Sequence, residues 1–108
     1  MKRGDFVIVR EPGTDASKAR PCLVVQSDEV MELGPMISVC PLTSTLRGND
    51  LIRIPVNPEA RNGLQKASEI EIDRLQVVSR SRIARTIGQA SRSTILKVDD
   101  ALRRWLDL

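Results

Sequence analysis

The chain has no histidine and no tyrosine, one phenylalanine (Phe6), one tryptophan (Trp105) and two cysteines, Cys22 and Cys40. Without imidazole there is neither a Ser–His–Asp triad nor a histidine acid–base pair. With two aromatic residues the chain cannot line a sheet with the base-stacking rings used by many RNA-binding modules. The lack of histidine, with only two cysteines, argues against a zinc site, and no cofactor or metal is expected. Nor is there a glycine-rich phosphate loop. No apolar run approaches the roughly 18 residues of a membrane span. Residues 1–5 are polar and run straight into a strand-like segment, unlike a signal peptide. The expectation is a cytoplasmic protein whose cysteines are buried free thiols.

What is present suits one compact unit. The 108 residues, 41% hydrophobic and 29% charged, predict a single domain over 1–108. A domain of this size buries a modest share of its surface, so dimerisation would help it. The net charge is +3 and uneven: residues 1–54 hold seven Lys/Arg and seven Asp/Glu, residues 55–108 ten and seven. From Arg74 to Arg92, ends included, there are five arginines and no acid. That stretch suits phosphate or an acidic protein segment, and equally a solvated face.

Short strands come first and one helix last. Phe6–Val9, Cys22–Gln26, Met36–Cys40, Leu51–Val56 and Ala67–Ile72 read as strands, the second nearly all apolar and therefore central. Glu11–Ala19, with Pro12, Gly13 and Asp15, reads as a loop, and Asn62-Gly63 as a turn. Pro55 and Pro58 mark an edge and a stop. Val77-Val78 and Ile83–Ile87 suggest one more arginine-flanked strand, ended by Gly88. Ser91 or Ser93 can cap a helix in which Ile95, Val98, Leu102, Trp105 and Leu106 form an apolar stripe. Asp99 and Arg103 are placed for an i,i+4 pair on its other face. The pattern predicts a small barrel or curled sheet with a helix packed on it; it does not choose a function.

Several segments together resemble the MazF/PemK toxins. They are the opening Lys2-Arg3-Gly4-Asp5, the strand Arg20-Pro21-Cys22-Leu23-Val24-Val25-Gln26, the segment Val39-Cys40-Pro41-Leu42-Thr43-Ser44, the turn Ile72-Asp73-Arg74-Leu75, and the closing Ala101-Leu102-Arg103-Arg104-Trp105-Leu106. Two positions depart from the family pattern: Thr14–Ala19 replaces the usual residues before the Arg-Pro pair, and Glu71 stands where some relatives carry arginine. The resemblance implies a mainly β fold, a small curled antiparallel sheet or half-open barrel with one C-terminal amphipathic helix. It implies a toxin of a toxin–antitoxin system: a homodimeric, sequence-selective, metal-independent endoribonuclease acting on single-stranded RNA. Its partner would be an antitoxin with an acidic, disordered segment. A CcdB-like toxin that binds DNA gyrase without cutting, or an inactive antitoxin-binding relative, are the alternatives; Trp105 near the terminus keeps the former open.

By the same resemblance Arg20, Thr43 and Asp73 form the catalytic set. A guanidinium held before a buried strand suits a pentacoordinate phosphate. The Thr43 hydroxyl can donate to a phosphate oxygen, although a turn hydroxyl bonded to nearby backbone would look the same. Asp73 beside Arg74 would stay ionised and could accept a proton or orient Arg20, or simply cap a turn; Glu71 and Glu69 are weaker candidates. Lys18, Ser44, Arg47, Arg53, Arg80 and Arg82 are candidate RNA contacts, each of which taken singly is as well explained as surface.

Overall fold

The computed structural model describes residues 1–12 and 18–108; the part of the expected loop formed by residues 13–17 lies outside the described residues. The described residues form seven strands and one α-helix, with three short 3-10 turns between them: β1 (Asp5–Arg10), β2 (Ala19–Val24), β3 (Met36–Thr43), β4 (Arg53–Val56), β5 (Ser68–Glu71), β6 (Gln76–Ser79), β7 (Ile83–Gln89) and α1 (Arg92–Leu106). The strands form one antiparallel sheet in the order β4-β5-β3-β2-β1-β7, and β6 also pairs with β3. The sheet does not close, since β4 and β7 are its two ends. The fold is the expected mainly β one, with its apolar strand β2 between β1 and β3.

Alternation along the strands sends apolar residues to both faces. Phe6, Leu23, Cys40, Leu42, Ile54 and Ile70 pack with Val98 and Ala101 of α1 in one core. Their neighbours Val7, Val9, Cys22, Val24, Ile37, Val39 and Val78 build a second core on the opposite face. Burial pushes both thiols, Cys22 and Cys40, up to about 12, so they stay protonated at neutral pH.

The opening Lys2–Asp5 is a fastening. The Arg3 guanidinium donates to Asp99 on α1 at 2.8 Å and to the Val25 carbonyl at 3.1 Å. Gly4 turns the chain with φ +93°, and a Cβ there would sit 3.3 Å from the Ile95 side chain. Because Asp99 is taken by Arg3, the expected pair with Arg103 does not form; Arg103 meets Asp100 at 3.5 Å.

The segment expected to hold one strand after Asp73 holds two. β6 lies along β3 and β7 along β1, so the chain crosses from one neighbour to the other through a turn at Arg80–Arg82. That turn is pinned by its own arginines: Arg80 donates to the Met31 carbonyl, and Arg82 Nε to the Arg10 carbonyl at 2.8 Å. Gly88 does not end β7, which runs on to Gln89. A Cβ at Gly88 would fall 2.4 Å from the Arg61 carbonyl oxygen, so the glycine lets the Asn62-Gly63 turn press onto the strand.

Ser91 caps α1, its hydroxyl accepting from the Thr94 amide at 3.2 Å. The expected stripe is buried only in its middle. Val98 and Ala101 are fully covered and Ile95 and Leu102 partly, but Trp105 and Leu106 are 47% and 48% exposed. The last turn of α1 contributes nothing to either core. No helix among the described residues is long and apolar enough to cross a membrane.

Candidate active site

β2 and β3 run antiparallel with Cys22 opposite Pro41 and Val24 opposite Val39. Carried two residues outward, that register sets Arg20 against Thr43. Both continue rows that are apolar further in, Val24–Cys22 on β2 and Val39–Pro41 on β3, so a guanidinium and a hydroxyl emerge side by side where the second core reaches solvent. The Arg20 side chain is about half exposed and meets Glu11 at 3.0 Å. Thr43 is partly buried, and its hydroxyl oxygen accepts from the Thr45 amide at 3.1 Å, which fixes its position and leaves its proton free to donate.

The same face continues onto β5 and β4. Thr43 pairs with Glu69, Glu69 with Pro55, and Glu71 with Arg53. Here the charges are buried. Arg53 is 5% exposed and gripped by two carboxylates: Nε and Nη2 reach the two oxygens of Asp73 at 2.8 and 3.1 Å, and Nη1 reaches Glu71 at 3.1 Å. The Arg53 hydrogen bond holds the Asp73 carboxyl below its ordinary range, and the same bond raises Arg53 further. Arg74 adds a second cation to Glu71 at 3.4 Å.

Glu69 is 3% exposed. The Arg47 amide is shared between its two oxygens at 3.0 Å, and the Gly48 amide reaches Oε2 at 2.9 Å. These amides, Gly48 first, hold the Glu69 carboxyl below its ordinary value against the opposing effect of burial.

Of the residues singled out in the sequence, Arg20, Thr43 and Asp73 share one face, but Asp73 orients Arg53 and not Arg20. Arg53 is a buried support with its donors engaged by carboxylates, not a solvent-facing cation. Arg80 and Arg82 spend hydrogen bonds on backbone carbonyls. Lys18, Ser44 and Arg47 are exposed. Sequence reasoning missed Glu11 as the partner of Arg20; the signal was the hairpin, in which Val9 opposite Arg20 brings Glu11 to the same end. On the other side of these strand ends, Pro21, Leu42 and Ser44 help line an open cavity of about 400 Å³. Among the described residues no group of three His, Cys, Asp or Glu could hold a metal ion.

A mainly β domain that places a guanidinium and a hydroxyl at the ends of adjacent strands, over a braced acidic layer, has the groups to hold a phosphodiester. The family model of PemK-like, MazF-like toxins of type II toxin–antitoxin systems matches residues 2–106, and the chain belongs to that family. It is 29% identical over 108 residues to a protein named probable endoribonuclease MazF from Mycolicibacterium smegmatis, covering 100% of this chain and 98% of that one. Among solved structures it resembles the Mycobacterium tuberculosis toxin MazF-mt6, with a TM-score of 0.80 at 28% identity, covering 96% of this chain and 97% of that one. A mycobacterial endoribonuclease solved with its cognate antitoxin shares the fold, with a TM-score of 0.83 at 19% identity over 100% and 96% of the two chains.

Proposed function

We propose that this chain is the toxin of a toxin–antitoxin pair and acts as an endoribonuclease on single-stranded RNA in the cytoplasm. The observation that carries the reading is the β2–β3 register, in which Cys22 stands opposite Pro41 so that Arg20 and Thr43, each two residues further on, lie toward the same strand ends. The ribose 2′-hydroxyl loses its proton and attacks the adjacent phosphorus, and the P–O5′ bond breaks. The 5′ oxygen leaves as a hydroxyl after taking up a proton, with a 2′,3′-cyclic phosphate left behind; negative charge builds on the phosphate oxygens on the way. Arg20 stabilises that charge with a planar two-point donor, and Thr43 donates a second hydrogen bond. The intrinsic pKa of a guanidinium suits charge stabilisation better than proton transfer. Glu11 holds Arg20 in the free protein, and the incoming phosphate replaces it. Asp73 acts through Arg53, bracing the acidic layer. Lys18, Ser44 and Arg47 contact the RNA backbone, and Arg80 and Arg82 of the basic stretch 74–92 add to the positive surface.

The names of the relatives support cleavage over gyrase binding, because the family matched is the PemK/MazF one and its relatives are called endoribonucleases. The chain works as one domain over 1–108, and as a homodimer in which the exposed end of α1 has a partner to pack on. Its inhibitor is an antitoxin with an acidic segment that folds onto the basic surface.

The test is a long single-stranded RNA incubated with the protein and excess EDTA. Discrete fragments are the expected result. Intact RNA, or cleavage that needs added magnesium, overturns the mechanism; gyrase poisoning with intact RNA transfers the chain to the non-enzymatic class.

A further inference from the structure

Glu69 stands out as a buried charge that neither Arg20 nor Thr43 explains. Removing a carboxylate from water is costly unless strong hydrogen bonds replace the lost solvent. Here those bonds come from the backbone of the segment after β3: the Arg47 amide is shared between the two Glu69 oxygens at 3.0 Å, and the Gly48 amide lies 2.9 Å from one of them. Bonds from amides to a charged acceptor are of the stronger kind. The start of the segment is fixed separately, by the Thr45 amide on the Thr43 hydroxyl. Gly48 completes the reversal with φ +76°, and nothing lies within 4 Å of where its Cβ would be. Between these fixed points Arg47 is exposed, and among the described residues its side chain enters no ion pair.

We propose that Glu69 is a positioning residue for RNA recognition: it clamps the segment 44–48 beside Thr43 so that Arg47 is presented to the RNA backbone. The proposal rests on the endoribonuclease reading and adds a specific role to a carboxylate that touches no RNA. It separates Glu69 from its neighbours on the same face, since Glu71 and Asp73 brace Arg53 whereas Glu69 braces backbone.

The experiment is a double-mutant cycle on Glu69 and Arg47, read in steady-state cleavage of an RNA oligonucleotide and in binding to its uncleavable 2′-methoxy analogue. Arg47→Ala should raise KM about tenfold and leave kcat within about threefold, the pattern of a lost ground-state contact. Glu69→Gln offers one acceptor instead of two and should produce the same split. In the double variant KM should rise no further than in Glu69→Gln alone, because a displaced Arg47 has nothing left to lose. Two increases that multiply, or an unchanged KM in folded Glu69→Gln, overturn the proposal; a purely structural Glu69 would lower the melting temperature and leave KM alone. If Glu69→Gln does not fold, Gly48→Ala replaces it. That change strains the segment at a left-handed position without touching the core, and the same non-multiplying KM with Arg47→Ala is expected. The wild-type protein in the same assay tests the endoribonuclease reading separately: RNA left intact by wild type refutes that reading, while the binding cycle still decides whether Glu69 positions Arg47.

Discussion

At the ends of β2 and β3 the Arg20 side chain is 48% exposed and, among the described residues, meets one carboxylate, Glu11, that is itself 42% exposed. On the same face of the sheet Arg53 is 5% exposed and closed between Glu71 and Asp73. In the sequence the two arginines differ little: Arg20 precedes the apolar run Cys22–Gln26 and Arg53 lies within the strand-like Leu51–Val56. In the fold one is free to exchange its partner for a phosphate, and the other cannot leave without stranding charge. The comparison teaches that two cations can share a surface while differing in what their loss should cost: rate for Arg20, the proposed catalytic cation, and stability for Arg53.

Removing the support should have the largest effect. Arg53→Ala leaves Glu71 buried without its principal cation and frees Asp73, and breaking a buried pair in this way costs about 3–5 kcal/mol. Urea unfolding measures it. A loss under about 1 kcal/mol would erase the distinction between the two arginines.

Arg20→Ala should invert that outcome. Single-turnover cleavage should slow by about 100- to 1000-fold, the scale for one transition-state donor. Unfolding should shift by no more than about 0.5 kcal/mol, as for other surface changes. Arg20→Lys should recover little, because an ammonium lacks the planar fork. Equal losses in rate and in RNA binding would reduce Arg20 to a phosphate anchor.

Acid should weaken the buried layer. Glu69 and Asp73 lie below their ordinary 4.5 and 3.8 in the folded protein. Each therefore binds protons less readily folded than unfolded. Their stabilisation is complete above about pH 5 and drains away as pH falls through about 4 toward the folded values. The urea midpoint followed from pH 7 to pH 3 should fall with that sign, and Glu69→Gln should flatten the descent. A midpoint independent of pH in this range would mean that neither carboxylate is held as described.

The smallest effect concerns α1. Trp105→Ala should change the unfolding free energy of the isolated chain by no more than about 0.5 kcal/mol, since the ring enters neither core. Leu102→Ala, half-buried against the helix-side core, should fall near or below the lower end of the usual 2–5 kcal/mol range. A large Trp105 effect that grows with protein concentration would place the ring in a dimer contact.

Much of the architecture is written locally. Phe6–Val9, the Cys22–Val24 run and Met36–Cys40 are strands because β-branched and apolar side chains suit a pleated, half-buried surface, and period two assigns their faces without knowledge of their neighbours. Asn62-Gly63 turns and Ser91 caps for equally local reasons. Arg20 and Thr43 were legible as a pair only through resemblance to the PemK/MazF family, whose motif order survives along the chain. The rest depends on distance in space. That Val77-Val78 and Ile83–Ile87 are separate strands follows from which edge of β1 or β3 was vacant, and β7 accepts Gly88 because the Arg61–Asn62 backbone presses against it. That Trp105 emerges into solvent follows from where the helix-side core ends. The roles of Arg53 and Glu69 were the least readable. Charge is a property of the residue, but its desolvation and its partners are set by elements far apart in the chain: β4 against β5, and the segment after β3 folded back onto a carboxylate more than twenty residues on. Local chemistry determined the strands and the helix; tertiary pairing alone decided which charges are buried as supports and which stand free to act.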